Sequence, residues 1–88
     1  MSSRRSKNQI SIDILNAISS GEQKPTRLMY ACNLSWTSTK ETLDRLVASG
    51  LVDEINENQK RRCYCITVKG RDVVEYYARL QDLIQIPV

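Results

Sequence analysis

The run PTRLMYACNLSWTSTKETLDRLVASG, Pro25 to Gly50, decides how this chain is read. It divides into a short helix opened by Pro25, a turn at Asn33-Leu34-Ser35, and a second helix from Trp36 to Ser49 ended by Gly50. Proline suits the first helical turn, where its missing N–H would have no partner anyway. Ser35 is a good N-cap, and Gly50 suits the residue just past a helix end. In the second helix Trp36, Thr39, Leu43, Leu46 and Val47 fall at helical spacing and define the inward face; Trp36 could stack on a base, but its place on that stripe predicts it in the core. The opposite face collects Thr37, Ser38, Glu41 and Arg45. Short hydroxyls, one guanidinium and one carboxylate can exchange hydrogen bonds with base edges in a DNA major groove. Arg27, Ser35 and Lys40, at the margins of that face, are placed to hold phosphates.

Upstream, Ile10, Ile14, Ala17 and Ile18 recur at i, i+4, i+7 and i+8, with Leu15 widening the stripe. They predict a core helix over 8–20, capped by Ser6 or Asn8 and stopped at Ser19-Ser20-Gly21. Residues 1–7 carry Arg4, Arg5 and Lys7 with no apolar anchor and are expected to be a disordered basic arm. Gly21 to Lys24 reads as a polar loop, and Leu28, Met29, Ala31 and Cys32 as the apolar side of the short helix.

Downstream, Leu51 to Asn56 and Arg62 to Thr67 read as two short strands joined by the polar residues Glu57 to Arg61. A hairpin in this place is the wing of a winged helix. Its tip would bring Lys60, Arg61 and Arg62 to the DNA backbone; the bland alternative is an exposed, solubilising turn. Alternation puts Tyr64 and Ile66 on one face and Cys63 and Cys65 on the other. The Cys63-x-Cys65 pair lacks the further ligands that zinc wants, and its spacing in a strand suits bridging poorly, so the thiols are read as structural.

A last helix begins at Thr67 or Val68 and runs to about Ile84. Val73, Tyr76, Leu80 and Leu83 follow a 3-4-3 spacing, joined by Tyr77 and Ile84, while Val74 is placed on the exposed side. Part of this stripe is expected to pack on the first helix. The remainder, Tyr77 to Ile84, is expected to pair with a second copy of the chain, with Val73 and Tyr76 counted in the same dimerisation seam, making residues 68–88 a dimerisation element after a winged domain over 8–67.

With 88 residues, one domain is expected, burying only about 60–65% of its unfolded surface, so a partner copy would add stability. There are no histidines and three cysteines, which speaks against a metal site; no cofactor is expected. An odd cysteine count without a signal-peptide pattern points to the cytoplasm, and no apolar run is long enough to span a membrane. The net charge of +3 is modest, but its cations gather in two clusters flanking the helix-turn-helix. No histidine, glycine-rich phosphate loop or activated nucleophile is available for catalysis, so the chain is not expected to be an enzyme.

Thr26-Arg27-Leu28-Met29-Tyr30, Asn33-Leu34-Ser35, Leu43, Leu46, Gly50-Leu51, Tyr64 and Thr67-x-x-Gly70-Arg71 together resemble the archaeal winged-helix DNA-binding family, from about Ile10 to Leu80. That family includes small chromatin-type proteins and membrane-tethered regulators. The resemblance implies a module that binds double-stranded DNA and dimerises through its C-terminal helix, often as an antiparallel coiled coil. This chain departs from the family pattern at Trp36, where tyrosine is commoner, and at Thr42, where a large aromatic is common. Its wing at Glu57 to Arg62 is longer and more basic, and its last helix is shorter than in the longest members.

The expectation is an α+β winged helix-turn-helix protein: a dimeric, nucleoid-associated transcription regulator in the cytoplasm. Two readings compete with it, a non-specific architectural DNA binder and a protein-interaction winged helix. Glu41 and Asp44 on the second helix favour the last.

Overall fold

A computed structural model describes residues 6–58 and 61–84, with the side chains of 57, 58 and 61 outside that description. The elements run α1 (Lys7–Ser19), α2 (Pro25–Ala31), α3 (Trp36–Ala48), β1 (Val52–Asn58), β2 (Arg61–Ile66) and α4 (Val68–Ile84). This is the winged-helix order: three helices, an antiparallel hairpin and a closing helix. Of the basic arm expected over residues 1–7, residues 1–5 lie outside the described residues, and Lys7 instead begins α1. Ser6 is its N-cap, accepting from the Gln9 N–H at 3.0 Å.

The first three helices end in the same way. Gly21, Asn33 and Gly50 each take a positive φ, of 113°, 55° and 78°. Around each, two N–H groups reach back to the last turn. Gly21 and Glu22 donate to the Ile18 and Ala17 carbonyls, Asn33 and Leu34 to Tyr30 and Met29, and Gly50 and Leu51 to Val47 and Leu46. This six-to-one and five-to-two pairing satisfies carbonyls that the helix leaves open. At Asn33 it also makes the sharp turn from α2 into α3, since asparagine tolerates the left-handed region better than most residues.

α1 lies at the centre, against α2, α3, β2 and α4. The core joins Ile14, Leu15 and Ile18 of α1 to Leu28, Cys32, Leu43, Leu46, Val52 and Tyr64. Thr39 and Thr42 are buried with them. Thr39 is satisfied within its own helix, its hydroxyl donating to the Ser35 carbonyl at 2.9 Å.

Trp36 departs from expectation: it is 48% exposed. The inward face of α3 is defined by Thr39, Thr42, Leu43 and Leu46, and Trp36 lies roughly 70° from their centre at about 100° per residue. It is also the first residue of the helix.

The hairpin pairs Val52 with Ile66, Glu54 with Tyr64 and Asn56 with Arg62, with an irregularity between Asn56 and Asn58 before Asn58 meets Arg61. Both strands therefore run closer to the tip than expected. Their outer ends are polar on both faces, so polarity no longer marks where backbone pairing stops. The polar loop before α2 joins this layer too, because the Tyr64 N–H donates to the Gln23 carbonyl at 2.9 Å. Tyr64 enters the core, Cys63 is also buried and Cys65 is half-buried, and no disulfide joins the three thiols.

α4 is docked by its first half. Gly70 is buried, and a Cβ there would collide with the Leu51 carbonyl and stand 2.7 Å from Ile66 Cγ1. Val73 and Val74 both pack on the core, so Val74 does not sit on the exposed side of the stripe. Tyr77 is half-buried and donates its hydroxyl to Gln9 Oε1 at 2.9 Å, pinning α4 to α1. Among the described residues no helix is long and apolar enough to cross a membrane.

Candidate nucleic-acid interface

The core buries one side of α3 and leaves the other in solvent. Thr37, Glu41 and Arg45 are exposed, and Ser38 is half-buried. Ser35 begins this surface. Its Oγ accepts from the Ser38 N–H at 3.1 Å, so the cap uses the oxygen and leaves the hydroxyl proton to donate outward.

Each cation expected to meet DNA has a different setting. Arg27 is exposed on α2, and its side chain makes no hydrogen bond or ion pair with another described residue. Lys40 is half-buried, its Nζ 3.2 Å from Asp44 Oδ1 one turn along. Arg45 reaches across to α1, where Nη2 donates to Ser11 Oγ at 3.4 Å, a long contact. The groove there, about 460 Å³, is lined by Ser11, Leu15, Leu46, Val73 and Tyr77, with Arg45 on its wall. Glu41 and Arg45, four residues apart on α3, form no ion pair with each other. Glu41 has no ion pair with a described residue and stands open to solvent.

On the wing, exposed Arg62 lies with Nε 3.3 Å from Glu54 Oε2 on the neighbouring strand. Lys60 and the Arg61 side chain, expected at the wing tip, lie outside the described residues. Under the sheet, burial pushes the Tyr64 hydroxyl above its ordinary pKa of 10.0, and the nearby Glu54 charge adds to the shift. Tyr64 is thus a neutral core group under the wing.

Exposed contacts of this kind are weak. A pair between solvent-facing side chains contributes about 0.2–1 kcal/mol, so phosphates can displace Asp44 from Lys40 and Glu54 from Arg62 at little cost. Thr37, Ser38, Glu41 and Arg45, the residues expected to face bases, share α3 with Lys40 and the N-cap Ser35, while Arg27 belongs to α2. Arg62 belongs to the separate wing layer. Two features lie outside the sequence reading, and only one of them had a signal. The Ser11 contact to Arg45 spans 34 residues and leaves no local signal. The Lys40–Asp44 pair could have been found from its i,i+4 spacing.

A second surface lies on α4. Tyr76, Leu80, Leu83 and Ile84 are 70%, 37%, 79% and 57% exposed and recur at i, i+4, i+7 and i+8. Val73 and Tyr77, expected in the same pairing seam, face this chain's own core and α1 instead. No group of acidic, cysteine or histidine side chains that could hold a metal occurs among the described residues.

Comparison with known proteins gives a consistent result. A winged helix-turn-helix family profile matches residues 4–85. An uncharacterised protein of the archaeon Methanocaldococcus jannaschii is 31% identical over 83 residues, covering 94% of this chain and 77% of its relative. A PadR family transcription regulator from Clostridium difficile superposes with a TM-score of 0.79 at 17% identity, covering 86% of this chain and 90% of that one. The transcriptional regulator BldR from Sulfolobus solfataricus superposes with a TM-score of 0.75 at 26% identity. The match covers 85% of this chain but 56% of BldR, so the present chain spans little more than half the length of that regulator.

Proposed function

The chain belongs to the winged helix-turn-helix family, and from that premise we propose that it is a dimeric DNA-binding transcription regulator. The observation that carries this reading is the open face of α3. A buried helix would spend its polar side on contacts within the fold; this one leaves Thr37, Glu41 and Arg45 in solvent. α3 enters the major groove, with Thr37, Ser38 and Arg45 donating to base acceptors and Glu41 accepting from a cytosine amine. Arg27, Ser35, Lys40 and the wing residues Lys60, Arg61 and Arg62 hold phosphates and set the register. Such a protein works at the nucleoid, in the cytoplasm.

The outward stripe of α4 supports pairing with a second copy. Tyr76, Leu80, Leu83 and Ile84 together leave more apolar surface in water than a single helix end usually carries. Two α3 helices held by that pairing would meet successive major-groove faces about 34 Å apart or a multiple of it. Glu41 and Asp44 favour a second reading, a surface for a basic protein partner, because carboxylates repel phosphate. Selection of bound sites from random duplexes at physiological salt, with the mass of the free protein measured alongside, tests the proposal. A palindromic consensus and a dimer mass are expected. Recovery of no duplex at all would leave the protein-partner reading.

A further inference from the structure

Trp36 is the one large apolar side chain of α3 that the core leaves half in water; Leu43 and Leu46 on the same helix are 0% and 4% exposed. A half-exposed indole leaves on the order of 100 Å² uncovered. It opens the helix, beside Ser35 and Thr37, and Lys40 follows it by one turn on the same flank. In DNA-reading helices the N-terminal residues are the ones that reach the bases. A flat apolar ring with a single N–H donor, bordered by a hydroxyl and an ammonium, matches the wall of a major groove. There, deoxyribose carbons alternate with phosphates along the backbone, and thymine C5-methyl groups project from the base edges beside them.

We propose that Trp36 is a contact residue of the duplex interface, its ring packed against apolar sugar and thymine-methyl groups while its neighbours hold phosphate. This rests on the DNA-binding reading above and adds an apolar contact on the Lys40 flank of α3, at its first turn, outside the polar face that carries Thr37, Ser38, Glu41 and Arg45.

The chain has a single tryptophan, so its emission reports this one site. A short fluorescein-labelled duplex titrated at low salt gives occupancy by anisotropy, while acrylamide quenching of the indole gives its accessibility. The expected result is loss of acrylamide access and a change of emission that saturate together with the anisotropy. Trp36→Ala should weaken binding about fivefold or more, the lower range for an aromatic contact to a nucleotide. Trp36→Phe should retain most of the affinity, and the salt slope should stay the same in both, because no charge is removed. Replacing thymine by uracil throughout the duplex separates the two contacts. A loss of affinity seen in the wild type but not in Trp36→Ala assigns the methyl group, and equal binding assigns the sugar. Full occupancy by anisotropy with unchanged emission and unchanged quenching overturns the proposal while leaving DNA binding intact. No anisotropy change at low salt overturns the DNA-binding reading itself. Should Trp36→Ala not fold, the wild-type quenching result decides alone.

Discussion

The hydroxyl of Thr67 donates to the carbonyl of Gly50 at 2.8 Å. One side chain thereby joins the end of α3 to the start of α4. The same oxygen accepts from the Gly70 N–H at 3.0 Å and so caps α4, while the Thr67 N–H donates to the Leu51 carbonyl at 3.1 Å. Lys69 adds a bond to the Ser49 carbonyl. The proposed DNA-reading helix and the proposed pairing helix therefore share a joint. Thr67→Val keeps the shape and removes both hydroxyl bonds. It should cost about 1–3 kcal/mol in urea unfolding, the sum of a cap and a second hydrogen bond.

Gly70 makes that joint possible by letting α4 approach the Leu51 carbonyl. Gly70→Ala should therefore destabilise although alanine is the better helix former. The cost should be about 1–3 kcal/mol or more, as for overpacking elsewhere, because the Leu51 side of the clash is backbone and yields little. A thermal melt comparing Gly70→Ala with Ala78→Gly, an exposed position on the same helix, separates the close approach from helix propensity.

Asp44 holds Lys40 in an exposed pair and puts a negative charge beside the reading face. Asp44→Asn should leave stability within about 0.5 kcal/mol. It should tighten binding to duplex DNA and steepen the dependence of log K on log salt by about one unit, as expected for one further phosphate contact. Filter-binding isotherms at several salt concentrations read both effects.

The outward stripe of α4 should respond differently from its inward side. Leu83→Asp, at a residue 79% exposed, should leave the melting temperature of the domain close to wild type and shift sedimentation from dimer to monomer. Val73→Asp, at a residue packed on the core, should unfold the domain. Dimer mass retained in Leu83→Asp would remove α4 as the pairing element.

Tyr64 sets an alkaline limit. Its folded pKa is raised, so above the unfolded value of 10.0 the unfolded chain has lost a proton that the folded chain still holds. Stability from this residue is complete below about pH 10 and is lost as pH rises through the folded value. Melting temperatures taken upward from pH 9 should fall more steeply in the wild type than in Tyr64→Phe.

Much of the fold was legible because local rules agreed. Pro25, Ser35 and Gly50 marked helix ends where the structure has them, and the apolar spacing of Ile14, Leu15, Ile18, Leu43 and Leu46 marked the faces that are buried. What was not legible depended on the edge of the core. Trp36 fits the inward stripe by count but starts its helix at the edge of that stripe, so its ring is only half covered. Val74 fits the outward side by count, yet the approach of α4 at Gly70 turns it toward the core. The link from Tyr64 to Gln23 joins two segments by backbone alone, which no side chain announces. Of the candidate interface, the exposure of Thr37, Glu41 and Arg45 followed from periodicity. The direction of Arg45 did not, because Ser11 is brought to it only by the packing of α1 on α3.

The central claim, that the outward face of α3 reads duplex DNA, is tested most directly by the affinity of wild type and Arg45→Ala for a selected duplex across a range of salt. The account predicts that log K falls linearly with log salt in both, and that loss of Arg45 costs about 1–3 kcal/mol at every salt concentration on the selected site. Equal binding by the two proteins, unaffected by salt, would contradict it.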